Sequence, residues 1–197
     1  MDITVLGLVL IIGGWVLKQR YQAPRVRLLA EHLSPFNIEP LMRQLHQGYF
    51  RALDETDPQR AAQIWALQRS TEQTLLQQLT AFAQSFDSVY LARTQVFKLA
   101  LTLPYADQLF PALCFDARRV FAVHAQGLAR AVSAQDPAGP RARTVLAELY
   151  LMQHTCHWFC RSLPTASARL LARHQTCLLY TSPSPRDYAA SRMPSSA

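Results

Sequence analysis

Fifteen uncharged residues, Ile3 to Leu17 (ITVLGLVLIIGGWVL), open the chain, with Trp15 near their end and Lys18 directly after them. As an α-helix the run covers roughly 22 Å, against a bilayer hydrocarbon layer of roughly 30 Å. Met1 at one end and a snorkelling Lys18 at the other extend it, and local thinning of the bilayer absorbs the remainder. We therefore expect residues 1–18 to form a single transmembrane helix. A secretory signal peptide fits less well, because the run has no basic leader, Asp2 carries the wrong sign, and no small-x-small site precedes the charges. A helix docked on the protein's own core is the other alternative.

The flanks of the run set its expected orientation. Lys18, Arg20, Arg25 and Arg27 follow it with no acid between them, whereas only Asp2 and the amino terminus precede it. The excess of cations on one side predicts a single-pass bacterial inner-membrane protein with its main domain in the cytoplasm. Residues 19–36 then form a basic juxtamembrane segment, each cation near the surface contributing about 1 kcal/mol of attraction to anionic headgroups.

The other end of the chain reads differently from everything before it. Cys177 to Ala197 (CLLYTSPSPRDYAASRMPSSA) has no apolar period and clusters Ser with Pro183, Pro185 and Pro194. Cys177 to Asp187 resembles, codon for codon, the in-frame translation of a transposase-type sequencing adapter. Ser191 to Ala197 (SRMPSSA) resembles the constant block that follows such an adapter's variable index. The resemblance implies that residues 177–197 are non-native, and that the protein's own sequence runs through Thr176 and on beyond it. Setting aside Arg186, Asp187 and Arg192 takes the net charge from +7 to +6, and setting aside Cys177 leaves Cys114, Cys156 and Cys160. Three cysteines cannot all pair within one molecule, which fits a reducing compartment.

Between the two ends the apolar spacing is helical. Many Leu, Ala, Gln and Arg with only 6 glycines is the composition of a helical protein. Pro24 is expected to break the first helix or to start a short second one, and Ser34–Asn37 to turn. Ile38, Leu41, Met42, Leu45, Tyr49 and Leu53 predict a helix capped by Asn37 and ending near Asp54. Asp57-Pro58 predicts an N-cap and a proline at the first helical position of a long helix to about Phe86. The polar middle of that helix, Gln68 to Gln73, is expected to be solvated or packed on something outside the chain. Val89 to Leu103 supports either a helix or an extended segment, and we read it as helix. A helical turn at 105–110, a helix over 113–132, a loop at 135–140, a helix from there to Pro164 and a last helix capped by Thr165 complete the pass. The expected fold is all-α: a transmembrane helix, then residues 37–176 as a helical cytoplasmic bundle of about four to six helices.

Candidate chemistry is concentrated in HTCHWFC. His154 and His157 share one helical face and Cys156 and Cys160 another, so a metal would take one pair and find further ligands elsewhere, Cys114 and His124 being available. The spacing matches neither a zinc finger nor a c-type haem attachment. Cys156 also falls on the apolar stripe Val145, Leu149, Met152, Phe159, where a thiol acts as a small hydrophobe. No nucleophile elbow, phosphate-binding glycine loop, zincin motif or di-iron Glu-x-x-His pair is present. Asp116 and His124, eight apart, lie about 12 Å apart along a helix and cannot pair. The basic residues are too dispersed for a nucleic-acid interface. The sequence thus predicts a membrane-anchored protein-interaction or oligomerisation module without a cofactor. The alternative is a zinc, iron or haem sensor or carrier built on His154, His157, Cys156 and Cys160.

Overall fold

The computed structural model of the chain describes residues 3–100 and 104–181, with side chains to Ala172. It is predominantly helical. α1 (Ile3–Leu33) is followed by α2 (Ile38–Asp54), α3 (Pro58–Asp87) and the short α4 (Leu91–Thr94). After β1 (Gln95–Phe97) come α5 (Ala106–Leu109), a 3-10 turn at Pro111–Leu113 and β2 (Cys114–Asp116). Three helices complete the described residues: α6 (Ala117–Ser133), α7 (Ala138–Cys160) and α8 (Leu163–Thr181). The last five residues of α8 belong to the 177–197 tail, and residues 182–197 lie outside the described residues.

α1 is long and apolar enough to cross a membrane, and its apolar window is wholly unburied. Contrary to expectation, Pro24 does not interrupt it. Proline removes the bond to the carbonyl four residues back, but Pro24 lies on an exposed face, where water can meet the Arg20 carbonyl. Beyond Pro24 the helix changes character: Gln22, Arg25, Leu28 and Leu29 are buried in the bundle. Most of the 19–36 segment is therefore helix docked on the domain.

α3 packs against α2 on one side and α6 on the other, α6 packs on α7, and α7 on α8 and α1. Helical spacing placed most of the core correctly in α2, where Ile38, Met42, Leu45 and Tyr49 are buried but Leu53, in the last turn, is exposed, and along α7, where Val145, Leu149, Met152 and Phe159 are buried. At the centre Phe82, Phe86, Phe121 and Phe159 meet edge to face, with ring centroids 5.0 Å (86–121), 5.1 Å (82–121) and 5.6 Å (86–159) apart. Each such ring removes about 150–250 Å² from water, and the edge-on pairing adds about 0.5–1.5 kcal/mol.

The caps split the expectations. Asp57 accepts the Gln59 N–H at 2.9 Å and Pro58 occupies the first turn of α3. Asp116 caps α6 in the same way through Arg118 N–H, so α6 starts at Ala117 rather than at 113. Asn37 makes no side-chain cap; its own N–H donates to Gln78 Oε1. α7 begins inside the expected 135–140 loop and ends at Cys160, and α8 starts at Leu163, ahead of Thr165. On α6 Val123 is exposed, and Phe121 and His124 face inward.

Two regions depart further. Val89–Leu103 does not form the single helix expected: among its described residues, 89–100, only Leu91–Thr94 is helical, while 101–103 lie outside the described residues. β1 follows α4, pairing antiparallel with β2 in the register Gln95↔Asp116, Val96↔Phe115, Phe97↔Cys114. Val96 suits a half-buried pleated surface, and its strand finds a partner only through the later segment. The polar middle of α3 is covered by the bundle: Gln68, Thr71 and Glu72 are buried, with Glu72 only 1% exposed. Glu72 accepts the Tyr49 hydroxyl from α2 at 2.7 Å and faces Arg141 of α7 at 3.4 Å. Gly48 makes room for Gln68, whose amide would lie within 2.3–2.6 Å of a Cβ there.

Candidate functional site

The HTCHWFC residues occupy the last turns of α7, and the structure spreads them over several environments. His154 Nε2 lies 3.3 Å from Ser167 Oγ of α8, and His157 Nδ1 accepts from Arg169 Nη1 at 3.2 Å. The two histidines thus turn toward α8. Cys156 and Cys160 pack against the hydrophobic core. Burial pushes the Cys156 thiol up to about 12 and the Cys160 thiol up to about 11, where both stay protonated at neutral pH. A protonated thiol must lose its proton before it can ligate a metal. Cys114 sits on β2, its Sγ 3.5 Å from the Phe110 carbonyl oxygen. Among the described residues no three of His, Cys, Asp and Glu gather in a group that could hold a metal ion.

His124 faces Thr155 on α7, with 2.9 Å between Nε2 and Oγ1. Its Nδ1 is 3.8 Å from Glu148 Oε2, an electrostatic contact too long for a hydrogen bond. Gly127 lets Glu148 come this close, since a Cβ there would meet its carboxyl at 2.7–2.8 Å. Burial lowers the His124 pKa and the Glu148 charge partly opposes that. The acid–histidine–hydroxyl order is that of a nucleophilic triad, but Thr155 is only 5% exposed. His124 is thus a buried histidine with one hydrogen bond, to Thr155, and a charge nearby in Glu148.

The same stretch of α7 builds a different site, through residues that are neither His nor Cys. Trp158 Nε1 donates to the Phe97 carbonyl of β1 at 3.1 Å, and its ring lies 4.8 Å from that of Phe115 on β2. The Phe159 carbonyl accepts from Arg25 Nη1 at 3.1 Å, and the Arg25 guanidinium lies 5.2 Å from the Phe159 ring. Arg161 Nη1 donates to Gln22 Oε1 at 2.9 Å. Through these contacts α7 joins α1 to the β ribbon.

Arg25 is the centre of this junction. It is 8% exposed, although expected to be one of the juxtamembrane surface cations. Its Nη2 reaches Asp107 Oδ2 at 2.9 Å and also donates to the Gln95 carbonyl. The Tyr21 hydroxyl donates to the other oxygen of Asp107 at 2.8 Å, and the Tyr21 ring lies 4.8 Å from the guanidinium. Tyr105, in the left-handed region at φ 62°, packs edge-on against Tyr21 with centroids 5.1 Å apart. That conformation costs a non-glycine residue about 1–2 kcal/mol, and here it delivers α5, with Asp107, to Arg25.

Beside Arg25 opens a shallow, solvent-facing cleft lined by Lys18, Tyr21, Gln22, Arg25, Trp158 and Arg161 among others. The sequence marked Lys18 and Arg25 as cations near a membrane but gave no sign that Arg161, 139 residues from Gln22, completes the same wall. No family model matches the chain, and comparison with curated proteins and with solved structures finds no significant match.

Proposed function

We propose that the chain is a single-pass bacterial inner-membrane protein whose helical domain lies on the cytoplasmic side and acts as a protein-interaction or oligomerisation module held rigidly at the bilayer surface. The observation that carries this reading is the continuity of α1. Its apolar half stands free, with Leu10 67% and Ile11 71% exposed, and its other half is built into the domain core. A flexible tether would let the domain tumble; an uninterrupted helix transmits its position and rotation directly.

Two further features support the reading. Residues 104–113, pinned to α1 at Tyr21 and Arg25 through Asp107, leave Leu109, Phe110 and Leu113 exposed, and Leu99 is exposed as well; these side chains can rest on the bilayer interface. Lys18, Arg20 and Arg27 stay exposed, so the cation excess that favours a cytoplasmic domain survives the burial of Arg25. The interaction role no longer draws on the middle of α3, which the bundle covers itself. It draws on apolar side chains left on outer helical faces, Leu67 of α3, Val123 of α6 and Leu151 of α7.

The tests are direct. The chain should stay with membranes through an alkaline wash, and release by that wash removes the span. A reporter active only in the cytoplasm, fused after Gln135, should give signal; activity from a periplasm-only reporter reverses the orientation. Sedimentation equilibrium of the purified chain in detergent should give a mass above the monomer, or crosslinking in cells should trap a protein partner. A strictly monomeric, uncrosslinked chain overturns the module.

A further inference from the structure

The cleft between α1, β1 and the α7–α8 junction carries a charge imbalance that the bundle does not resolve. Among the described residues three cations line it, Lys18, Arg25 and Arg161, and no carboxylate does. Asp107 neutralises Arg25. Lys18 has no hydrogen-bond or ion-pair partner among the described residues. Arg161 commits one N–H to Gln22, and a guanidinium has five. α8 begins at Leu163 on the cleft wall, so its positive end adds to the same field. Val96, Phe97, Leu99 and Pro104 give the cleft an apolar side, and Tyr21, Gln22 and Ser162 add neutral polar groups.

We propose that this cleft binds a phosphate-bearing anion, either the headgroup of an anionic phospholipid or a soluble phosphate ester. An ammonium and a forked guanidinium on one wall match the oxygens of a phosphate, and charge-assisted bonds of this kind are the strong ones. The apolar side accepts the glycerol and the first methylenes of a lipid. The lipid source rests on the membrane reading above: Lys18 directly follows the apolar run, so a run that crosses the bilayer opens the cleft at the depth of the lipid phosphates.

The experiment uses the full chain in a neutral detergent, titrated with dihexanoyl phosphatidylglycerol, dihexanoyl phosphatidylcholine and glycerol 3-phosphate, with binding read as a saturable rise in melting temperature. Phosphatidylglycerol should bind and phosphatidylcholine should not. Lys18→Gln with Arg161→Gln should weaken binding by about tenfold or more. Arg20→Gln with Arg27→Gln, which removes the same charge from exposed residues outside the cleft, should leave it nearly unchanged. Glycerol 3-phosphate matching phosphatidylglycerol identifies a soluble ester; phosphatidylglycerol alone identifies the lipid; either result keeps the site. No response to either anion, or equal loss in the two double variants, overturns it. Lys18→Gln alone covers a fold that does not tolerate the Arg161 change, because Lys18 is exposed and unpartnered; full affinity in that variant also overturns the site. Release of the chain by the alkaline wash, with glycerol 3-phosphate binding intact, would remove the span and leave the cleft standing.

Discussion

The two ends of α7 each bury an arginine against a carboxylate, and the two pairs are built to different standards. They are Arg141 near the start of the helix and Arg25 against Phe159 near its end, about 27 Å apart along the axis. Arg25 and Asp107 meet at 2.9 Å, both Asp107 oxygens are used, two backbone carbonyls take further guanidinium protons, and two rings flank it. Arg141 and Glu72 meet at 3.4 Å, and Glu72 Oε2, Arg141 Nε and the neighbouring Gln68 Oε1 have no partner among the described residues. Burial alone therefore does not make an ion pair stabilising. Removing two charges from water costs several kcal/mol per ion, and only good geometry with the leftover donors and acceptors satisfied recovers it. The α1 junction meets that condition and the far end does not.

The largest effect should come from breaking the satisfied network. Arg25→Ala strands Asp107 and two carbonyls, and should cost about 3–5 kcal/mol in urea unfolding of the detergent-solubilised chain. A loss below about 1 kcal/mol, the range of exposed pairs, would erase the contrast.

The sharper test replaces each pair whole. Arg25→Met with Asp107→Leu should still lose about 1–3 kcal/mol, because the Phe159 and Gln95 carbonyls keep no donor. Arg141→Met with Glu72→Leu and Tyr49→Phe should fall between neutral and about 2 kcal/mol more stable, since it removes atoms the bundle already leaves unpaired. Equal losses at both ends would show that the 3.4 Å contact is as well served as the 2.9 Å one.

Between the two ends lies a pH-dependent layer. Burial lowers the folded pKa of both His124 and His154. A histidine with a depressed folded pKa binds fewer protons folded than unfolded. Its contribution is complete above the unfolded value of about 6.5 and is lost as pH falls through the folded one. Urea midpoints should therefore drop between pH 7.5 and pH 5.5, and His124→Gln should flatten the drop. A midpoint that rises on acidification would reverse the assignment.

The smallest effect is expected at the HTCHWFC face. His154→Ala with His157→Ala removes the hydrogen bonds at 3.3 and 3.2 Å together with the edge contact of His154 on Trp158 and should cost about 0.5–1.5 kcal/mol. Elemental analysis and an absorption spectrum should be the same for parent and variant. Stoichiometric zinc, iron or haem in the parent alone would establish the α7 metal site and move attention away from the cleft.

Legibility from sequence followed the range of the interaction. The apolar run of α1, the α2 and α7 stripes and the Asp57-Pro58 start of α3 were readable because each depends on residues within a few turns. The Cys156 stripe position was readable for the same reason. Pro24 misled, since its cost depends on whether its helical face meets water, and that is a property of the docked helix. The partners of Trp158 and Arg161 were not legible, because Phe97 and Gln22 lie far off in the chain.

The sequence by itself determined that this chain is helical, that one end carries an apolar helix long enough for a bilayer, and which faces of α2 and α7 go inside. Helical periodicity and caps are local, and burial follows from apolar spacing. Only the tertiary structure decided which polar residues are buried and with whom: Arg25 with Asp107 across 82 positions, and Arg141 with Glu72 across 69. A lone charge looks the same in sequence whether it will face water or a partner. Its fate depends on which elements meet, and so does that of β1, a three-residue strand whose ladder exists only because β2 lies beside it.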